Sequence, residues 1–96
     1  MLDMDRTLTG KALLTNTIGL HARPSVKLTQ LAKRFQSSIQ LALGEAGPWI
    51  DAKSPVKVMR ARAPKGSTLY FNVAGPDDEA ALAAILALIE NKFGEE

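Results

Sequence analysis

The chain has 96 residues, of which 46% are hydrophobic and 23% charged, with a formal net charge of +2. Such values are ordinary for one globular domain, and the mild charge argues against a nucleic-acid arm or a membrane-surface helix. The absence of cysteine excludes disulfides and thiolate metal sites, and no apolar run approaches the ~20 residues that cross a bilayer. We therefore expect a single cytoplasmic domain over residues 1–96, without metal or cofactor. Residues 1–6 show no periodic pattern, lack the features of a signal peptide, and are predicted to be a loosely held end.

The first third of the chain predicts a strand, a turn and a helix. Apolar and polar residues alternate over 8–14, as in a strand with one buried face, although Leu13 interrupts the polar face. Residues 16–19 have turn composition. Helical spacing then follows in Leu28, Leu31, Ala32 and Phe35. Because proline is tolerated in a first turn, Pro24 predicts that this helix begins at about Ala22, with His21 near its N-cap.

The middle of the chain predicts a hairpin and a short helix. Ile39, Leu41 and Leu43 alternate with polar or small residues and indicate a second strand. The glycine-containing residues 44–47 are typical of a hairpin loop, and 48–51 can form a short return strand. Ser54-Pro55 is a helix-start signal, with serine as N-cap and proline at the first helical position. About two helical turns are predicted before residues 64–66 stop them.

The last part of the chain predicts a strand and the most apolar helix. Residues 68–73 alternate clearly, and Gly75-Pro76 ends this strand. Asp77 is predicted to cap the final helix, which Gly94 ends. The apolar stripe of that helix comprises Leu82, Ile85, Leu86, Ile89 and Phe93. The resulting order, βαββαβα, predicts an α+β fold in which a four-stranded antiparallel sheet is covered by three helices on one face.

His21 is the only histidine of the chain, and its surroundings suit phosphate chemistry. The amides of Ala22 and Arg23 would lie at a helix N-terminus, where unpaired donors and the helix dipole favour anions. The Arg23 guanidinium is a fork of donors that matches phosphate oxygens. A partly neutral imidazole can act as a nucleophile. Together these features predict a phosphoryl group carried on an imidazole nitrogen.

Simpler interpretations of the same residues stay open at this point. A lone histidine beside a helix start is more often a cap or a surface residue. The cationic cluster from Lys53 to Lys65 is more often a solvated face than a binding patch. Ser54 is a good N-cap whether or not it is ever modified.

The segment Asn16-Thr17-Ile18-Gly19-Leu20-His21-Ala22-Arg23-Pro24 resembles the active-site signature of the HPr family, the histidine phosphocarriers of the bacterial phosphoenolpyruvate-dependent phosphotransferase system. Ala52-Lys53-Ser54 resembles the family's regulatory-serine segment, and the ending from Gly75 also fits. The resemblance covers about residues 8–93. It implies the open-faced β-sandwich fold and makes His21 the phosphoryl carrier.

The resemblance also implies a mechanism and a set of partners. Phosphorylated enzyme I would place a phosphoryl group on Nδ1 of His21, with Arg23 as its side-chain partner and the amides of Ala22 and Arg23 as its cradle. The group would then pass to an enzyme IIA domain, so the protein would be a stoichiometric carrier and not an enzyme. Partners would dock over the first two helices, at a surface comprising Ala22, Arg23, Val26, Gln30, Pro55, Val56, Lys57 and Met59. An apolar patch with a positive rim suits a brief encounter with an acidic partner, and we expect a monomer.

Two departures from the family pattern concern regulation and partner choice. Pro55 follows Ser54, where a bulky apolar residue is common, and this alters what a serine kinase or phosphorylase acting on Ser54 would meet. Arg60-Ala61-Arg62 stands where small or apolar residues, often ending in glycine, are usual. The ending also resembles the nitrogen-regulatory branch, NPr, so a sugar-transport carrier and a regulatory phosphocarrier are both retained.

The remaining alternative is a small module that binds nucleic acid. That class requires exposed aromatic residues on a sheet and a strongly basic charge. The chain has one Trp, one Tyr and three Phe, and two of the phenylalanines fall on predicted helix stripes. We therefore expect neither a nucleic acid nor a membrane as a partner.

Overall fold

The computed structural model describes residues 7–94, so the predicted loose end at 1–6 lies outside the described residues. The elements follow the predicted order: β1 Leu8–Leu13, α1 Ala22–Ala32, β2 Ser38–Ala42, β3 Ile50–Asp51, α2 Pro55–Ala61, β4 Thr68–Ala74 and α3 Asp78–Glu90, then a 3₁₀ turn at Lys92–Gly94. No helix within 7–94 combines the length and apolar character that crossing a membrane requires.

The four strands form one sheet in the order β1-β4-β2-β3, and every neighbouring pair is antiparallel. β4 is central, because Phe71 lies opposite Gly10 of β1 and Leu41 of β2. The alternation predicted for β4 is confirmed, since Leu69, Phe71 and Val73 are fully buried. The residues between them are only half-buried.

The helices cover one face of this sheet and close the core over it. Leu28 of α1, Val58 of α2, and Ile85 and Ile89 of α3 are fully buried in the same cluster as the inward side chains of β4. Burying each such side chain contributes about 1.5–3 kcal/mol. The predicted α+β open-faced sandwich is therefore confirmed.

Strand β2 and the hairpin after it are shorter than the sequence indicates. The alternation predicts an inward Leu43, but β2 ends at Ala42 and Leu43 is 45% exposed. The return strand contains only Ile50–Asp51, so Pro48 and Trp49 belong to the loop. Strand pairing sets these limits, since only Gln40 and Leu41 have partners in β3.

Phe35 and Phe93, which the sequence pattern places on the apolar stripes of α1 and α3, lie beyond the ends of those helices. α1 ends at Ala32, and Phe35 follows in a bend, where it still packs against the core. Phe93 is buried, but it lies in the terminal turn with a positive φ of 59°. In both cases the apolar side chain keeps its place in the core after regular helix geometry has ended.

Asp77 occupies the N-cap position of α3, as predicted, but its side chain does not cap that helix. Its carboxylate instead accepts hydrogen bonds from the amides of Gln36 and Ser37, both at 2.9 Å, and from the Ser37 hydroxyl. Gly75 permits this approach, because a Cβ on it would lie 2.6 Å from the Ser37 Cα. Asp77 thus ties the start of α3 to the start of β2.

The hydroxyl of Ser37, followed by the amide of Gln36, lowers the pKa of Asp77 below its ordinary value of 3.8. A depressed pKa stabilises the fold above the ordinary value, and this contribution is lost as the pH falls through the folded-state value. Asp77→Asn should therefore lower the free energy of unfolding at pH 7. Below about pH 4, the free energy of unfolding of this variant should fall less steeply with decreasing pH than that of the parent. Thermal unfolding followed by circular dichroism from pH 7 to pH 2.5 measures both effects.

The matched control is Glu79→Gln, which removes an exposed carboxylate from the first turn of α3. It should leave the acid-induced loss of stability close to that of the parent. Parallel acid curves for the parent and Asp77→Asn would contradict the assigned role of the carboxylate.

Candidate functional site

His21 stands at the N-cap of α1, as predicted. Its backbone is extended, with φ −80° and ψ −169°, and α1 begins at Ala22. The first backbone bond of the helix runs from the Ser25 amide to the His21 carbonyl, at 2.9 Å. The imidazole makes no capping hydrogen bond, and the residue is exposed. The only imidazole of the chain is therefore presented to solvent at a helix start.

The loop before His21 is held by buried polar groups. The Asn16 side-chain amide donates to the Gly19 carbonyl at 2.7 Å, and the Gly19 amide donates to the Asn16 carbonyl at 3.2 Å. The Ser25 hydroxyl donates to the Leu20 carbonyl at 3.2 Å. Asn16, Leu20 and Ser25 are all at least 98% buried. These contacts restrict the backbone on both sides of His21.

A second anchor joins this loop to the segment that follows α2. The Leu20 amide donates to the Ala63 carbonyl at 2.8 Å. Gly19 has a positive φ of 69°, and a Cβ there would lie 2.6 Å from the same carbonyl oxygen. Glycine is required at this position because it alone combines that backbone conformation with the close approach. The end of α2 is consequently fixed beside the start of α1.

An open depression of about 580 Å³ lies where these two segments meet, and it is lined by Leu20, His21, Ala22, Val56, Met59, Arg60 and Arg62. Its walls are mainly apolar. Among residues 7–94, the charged groups that line it are the two guanidinium groups, and none of the lining side chains is acidic. Val56 and Met59 are 54% and 37% exposed, so apolar surface is available beside the imidazole.

The other predicted site residues occupy exposed or half-exposed positions on the same two helices. Arg23 is exposed at the second position of α1, while Val26 and Gln30 are exposed further along it. On α2, Pro55 is half-buried and Lys57 is exposed. The depression therefore gathers His21, Ala22, Val56 and Met59, whereas Arg23, Val26, Gln30, Pro55 and Lys57 are not among its lining residues.

Ser54 caps α2, and Pro55 is its first residue, as predicted. The Ser54 hydroxyl accepts from the Lys57 amide at 3.4 Å, and its carbonyl accepts from the Val58 amide at 3.0 Å. The side chain is half-buried. The structure thus accounts for Ser54 as a helix cap.

The cationic cluster of 53–65 separates into residues with different surroundings. Lys53 donates to the Phe35 carbonyl at 2.8 Å and therefore links the end of α1 to the segment before α2. Arg60 and Arg62, in contrast, line the depression with His21. The sequence pattern of the whole cluster is more typical of a solvated face, and it marks neither arginine as a site residue. No spacing rule marks them, because tertiary contacts between segments about forty residues apart place them in the same depression as His21.

The helix start is suited to an anion. The first amides of a helix lack acceptors within it and carry the positive end of the dipole. Pro24, at the third position, lacks an N–H donor and is buried. An anion on the imidazole would therefore meet the donor groups at the start of α1.

The comparisons with known proteins agree with this geometry. Residues 8–91 match the family described as "PTS HPr component phosphorylation site". The chain is 45% identical to the phosphocarrier protein HPr of Cupriavidus necator over 95 residues, covering 99% of this chain and 98% of the relative. It is 35% identical over 83 residues to the phosphocarrier protein NPr of Escherichia coli K12, covering 86% and 91% of the two chains.

A solved structure of HPr from Thermoanaerobacter tengcongensis shares the fold, with a TM-score of 0.80 and 34% identity over 95% of this chain and 98% of the other. The open-faced sandwich and its exposed histidine at a helix start define a class of small phosphoryl carriers. The chain belongs to the HPr family, the phosphocarrier proteins of the phosphotransferase system.

Gly19→Ala tests the anchor beneath His21. The new Cβ combines an unfavourable positive φ with a clash against the Ala63 carbonyl, so we expect a loss of about 2–4 kcal/mol of unfolding free energy. Urea denaturation measures this loss. The control is Gly66→Ala, because Gly66 also has a positive φ of 95° but nothing within 4 Å of a new Cβ. The control should lose only about 1–2 kcal/mol. Equal losses would contradict the anchoring contact.

Proposed function

We propose that His21 is the residue that carries the phosphoryl group. The observation that carries this proposal is the exposed, uncapped imidazole at the N-terminus of α1, set in a depression that no acidic side chain of residues 7–94 lines. Family membership supports it, because the matched segment spans the residues around His21. His21 is also the only histidine of the chain, so no other imidazole competes for the role.

The transfer is a displacement at phosphorus. The Nδ1 lone pair of His21 forms a P–N bond as the bond from phosphorus to the donor atom breaks, and that electron pair stays with the donor. The reverse displacement passes the group from His21 to an acceptor. Because the protein itself receives one phosphoryl group and gives it up once per transfer, it acts in this proposal as a stoichiometric carrier and not as an enzyme.

Arg23 and the amides at the start of α1 hold the phosphoryl oxygens in this proposal. The Arg23 guanidinium provides paired donors, and the amides of Ala22 and Arg23 provide the backbone cradle. The charge of Arg23 and the dipole of α1 stabilise the dianionic phosphoryl group until it is transferred to an acceptor.

In this proposal, enzyme I is the phosphoryl donor and an enzyme IIA domain is the phosphoryl acceptor. Both would dock over α1 and α2, at the exposed apolar side chains Val26, Val56 and Met59, with Gln30 and Lys57 at the rim. Apolar centres with polar rims are typical of protein interfaces. Residues 1–96 would act as one monomeric domain in the cytoplasm, where the family's partners meet.

Ser54 is retained as a candidate regulatory phosphorylation site, with a serine kinase or phosphorylase as the corresponding partner. Its hydroxyl accepts the Lys57 amide at 3.4 Å, and Pro55 fixes the backbone next to it. Modification there would alter the cap of the helix that lines the His21 depression.

The enzyme IIA domain that accepts the phosphoryl group determines whether the protein serves sugar transport or nitrogen regulation. Relatives with the names HPr and NPr both match nearly the whole chain. Phosphotransfer from the labelled protein to a panel of enzyme IIA domains separates the two branches. Transfer to sugar-specific domains favours sugar transport, and transfer confined to the nitrogen-regulatory domain favours a regulatory carrier.

His21→Ala should abolish labelling by phosphoenolpyruvate plus enzyme I, since it removes the only imidazole. Incorporation of radiolabelled phosphate, followed on gels at alkaline pH, measures the loss. An unchanged amide spectrum by NMR would show that the exposed side chain is not needed for folding. Base-stable label in His21→Ala would disprove the assignment.

Arg23→Ala should slow transfer by roughly 10–100-fold, because one charged donor to the phosphoryl group is lost. Rapid-quench measurement of transfer from enzyme I follows this rate. The control is Arg34→Ala, which removes an exposed arginine beyond the opposite end of α1. A rate for Arg23→Ala equal to that of Arg34→Ala would show that Arg23 does not hold the phosphoryl group.

A further inference from the structure

Arg62 has a backbone conformation that an arginine rarely adopts. It is the C-cap of α2, with φ 50° and ψ 41°, and its amide donates to the Met59 carbonyl at 3.1 Å. Helices commonly end in this left-handed conformation, but glycine is the residue that takes it without strain. Strained residues of this kind cluster at functional sites.

The position of Arg62 is fixed relative to His21 by backbone contacts. Leu20 and Ala63 are hydrogen-bonded to each other at 2.8 Å, and each is the direct neighbour of one of the two residues. Consecutive Cα atoms are about 3.8 Å apart. The loop before His21 is therefore joined to the segment that carries Arg62, and both residues line the same depression.

The side chains around Arg62 leave its charge available to an anion. Arg62 is exposed, and the described part of the chain lines the depression with a second guanidinium, that of Arg60, but with no acidic residue. The remaining walls are mainly apolar and, among the described residues, offer no competing carboxylate for the guanidinium. A guanidinium is also the cation best matched to phosphate oxygens.

We propose that Arg62 is a second phosphoryl-binding residue, which contacts the phosphoryl group on His21 from the α2 side of the depression. This inference rests on His21 as the carrier. Arg23 would approach from α1 and Arg62 from the end of α2, so that the phosphoryl group lies between two guanidinium groups. Arg60, in the last turn of α2, adds positive charge to the same rim.

The test uses chemical phosphorylation, so that it does not depend on enzyme I. Phosphoramidate transfers its phosphoryl group to imidazole as its own P–N bond breaks and ammonia leaves. The phosphorylated protein is then titrated by ³¹P NMR. A neighbouring cation favours the dianion, so Arg62→Gly should move the titration midpoint to higher pH, by roughly 0.3–0.5 pH unit.

Arg62→Gly suits this purpose because glycine adopts the left-handed conformation freely, so the end of α2 is preserved. The control is Arg34→Ala, which removes an equal charge from an exposed residue beyond the end of α1 opposite to His21. We expect its midpoint to move by less than about 0.1 pH unit, because a distant exposed charge is screened.

An unchanged midpoint in Arg62→Gly, or an equal movement in Arg34→Ala, would overturn the proposal. A failure of enzyme I to label the parent, alongside a normal ³¹P result, would instead refute the proposed donor and leave the role of Arg62 supported. The two proposals therefore fail in distinguishable ways.

Discussion

One backbone hydrogen bond, from the Leu20 amide to the Ala63 carbonyl, brings the two halves of the site together. It joins the loop before α1 to the segment after α2, which are separated by more than forty residues. Gly19 makes the approach possible because it has no side chain to meet the Ala63 oxygen. This contact, together with the packing of α1 and α2 on one core, places the histidine and the arginines at the end of α2 around one depression.

The N-cap residue of α1 makes no side-chain hydrogen bond that would stabilise the start of the helix. A serine or aspartate at the N-cap would bond the free amides and stabilise the helix by about 1 kcal/mol relative to a residue that cannot cap. His21 makes no such bond, so the donors at the helix start stay oriented toward an incoming anion. Asn16 and Ser25 offset the loss, since their side chains hold the Gly19 and Leu20 carbonyls instead.

The short helix α2 has a different role at each end. At its N-terminus, Ser54 and Pro55 supply the cap and the first residue that a seven-residue helix needs. At its C-terminus, Arg62 takes a conformation that favours glycine and directs positive charge toward the His21 depression. Between them, Val58 is buried in the core and fixes the helix in place.

The sequence alone determined the features that arise from local physics. Alternation predicted β4, proline and serine predicted the start of α2, and Pro24 placed His21 at the N-cap of α1, because caps and side-chain periods act within a few residues. The resemblance around His21 then indicated the family, and the comparisons confirmed it.

Tertiary structure alone decided which distant residues meet. Strand pairing ended β2 at Ala42 and left Leu43 exposed, and the carboxylate of Asp77 bonded Ser37 across the fold instead of capping its own helix. Arg60 and Arg62 line the same depression as His21 because the Leu20–Ala63 bond and the packing of α1 and α2 on one core bring the two segments together. Such contacts depend on the packing of the whole sheet and its helices, and no pattern within a few residues of the chain encodes them.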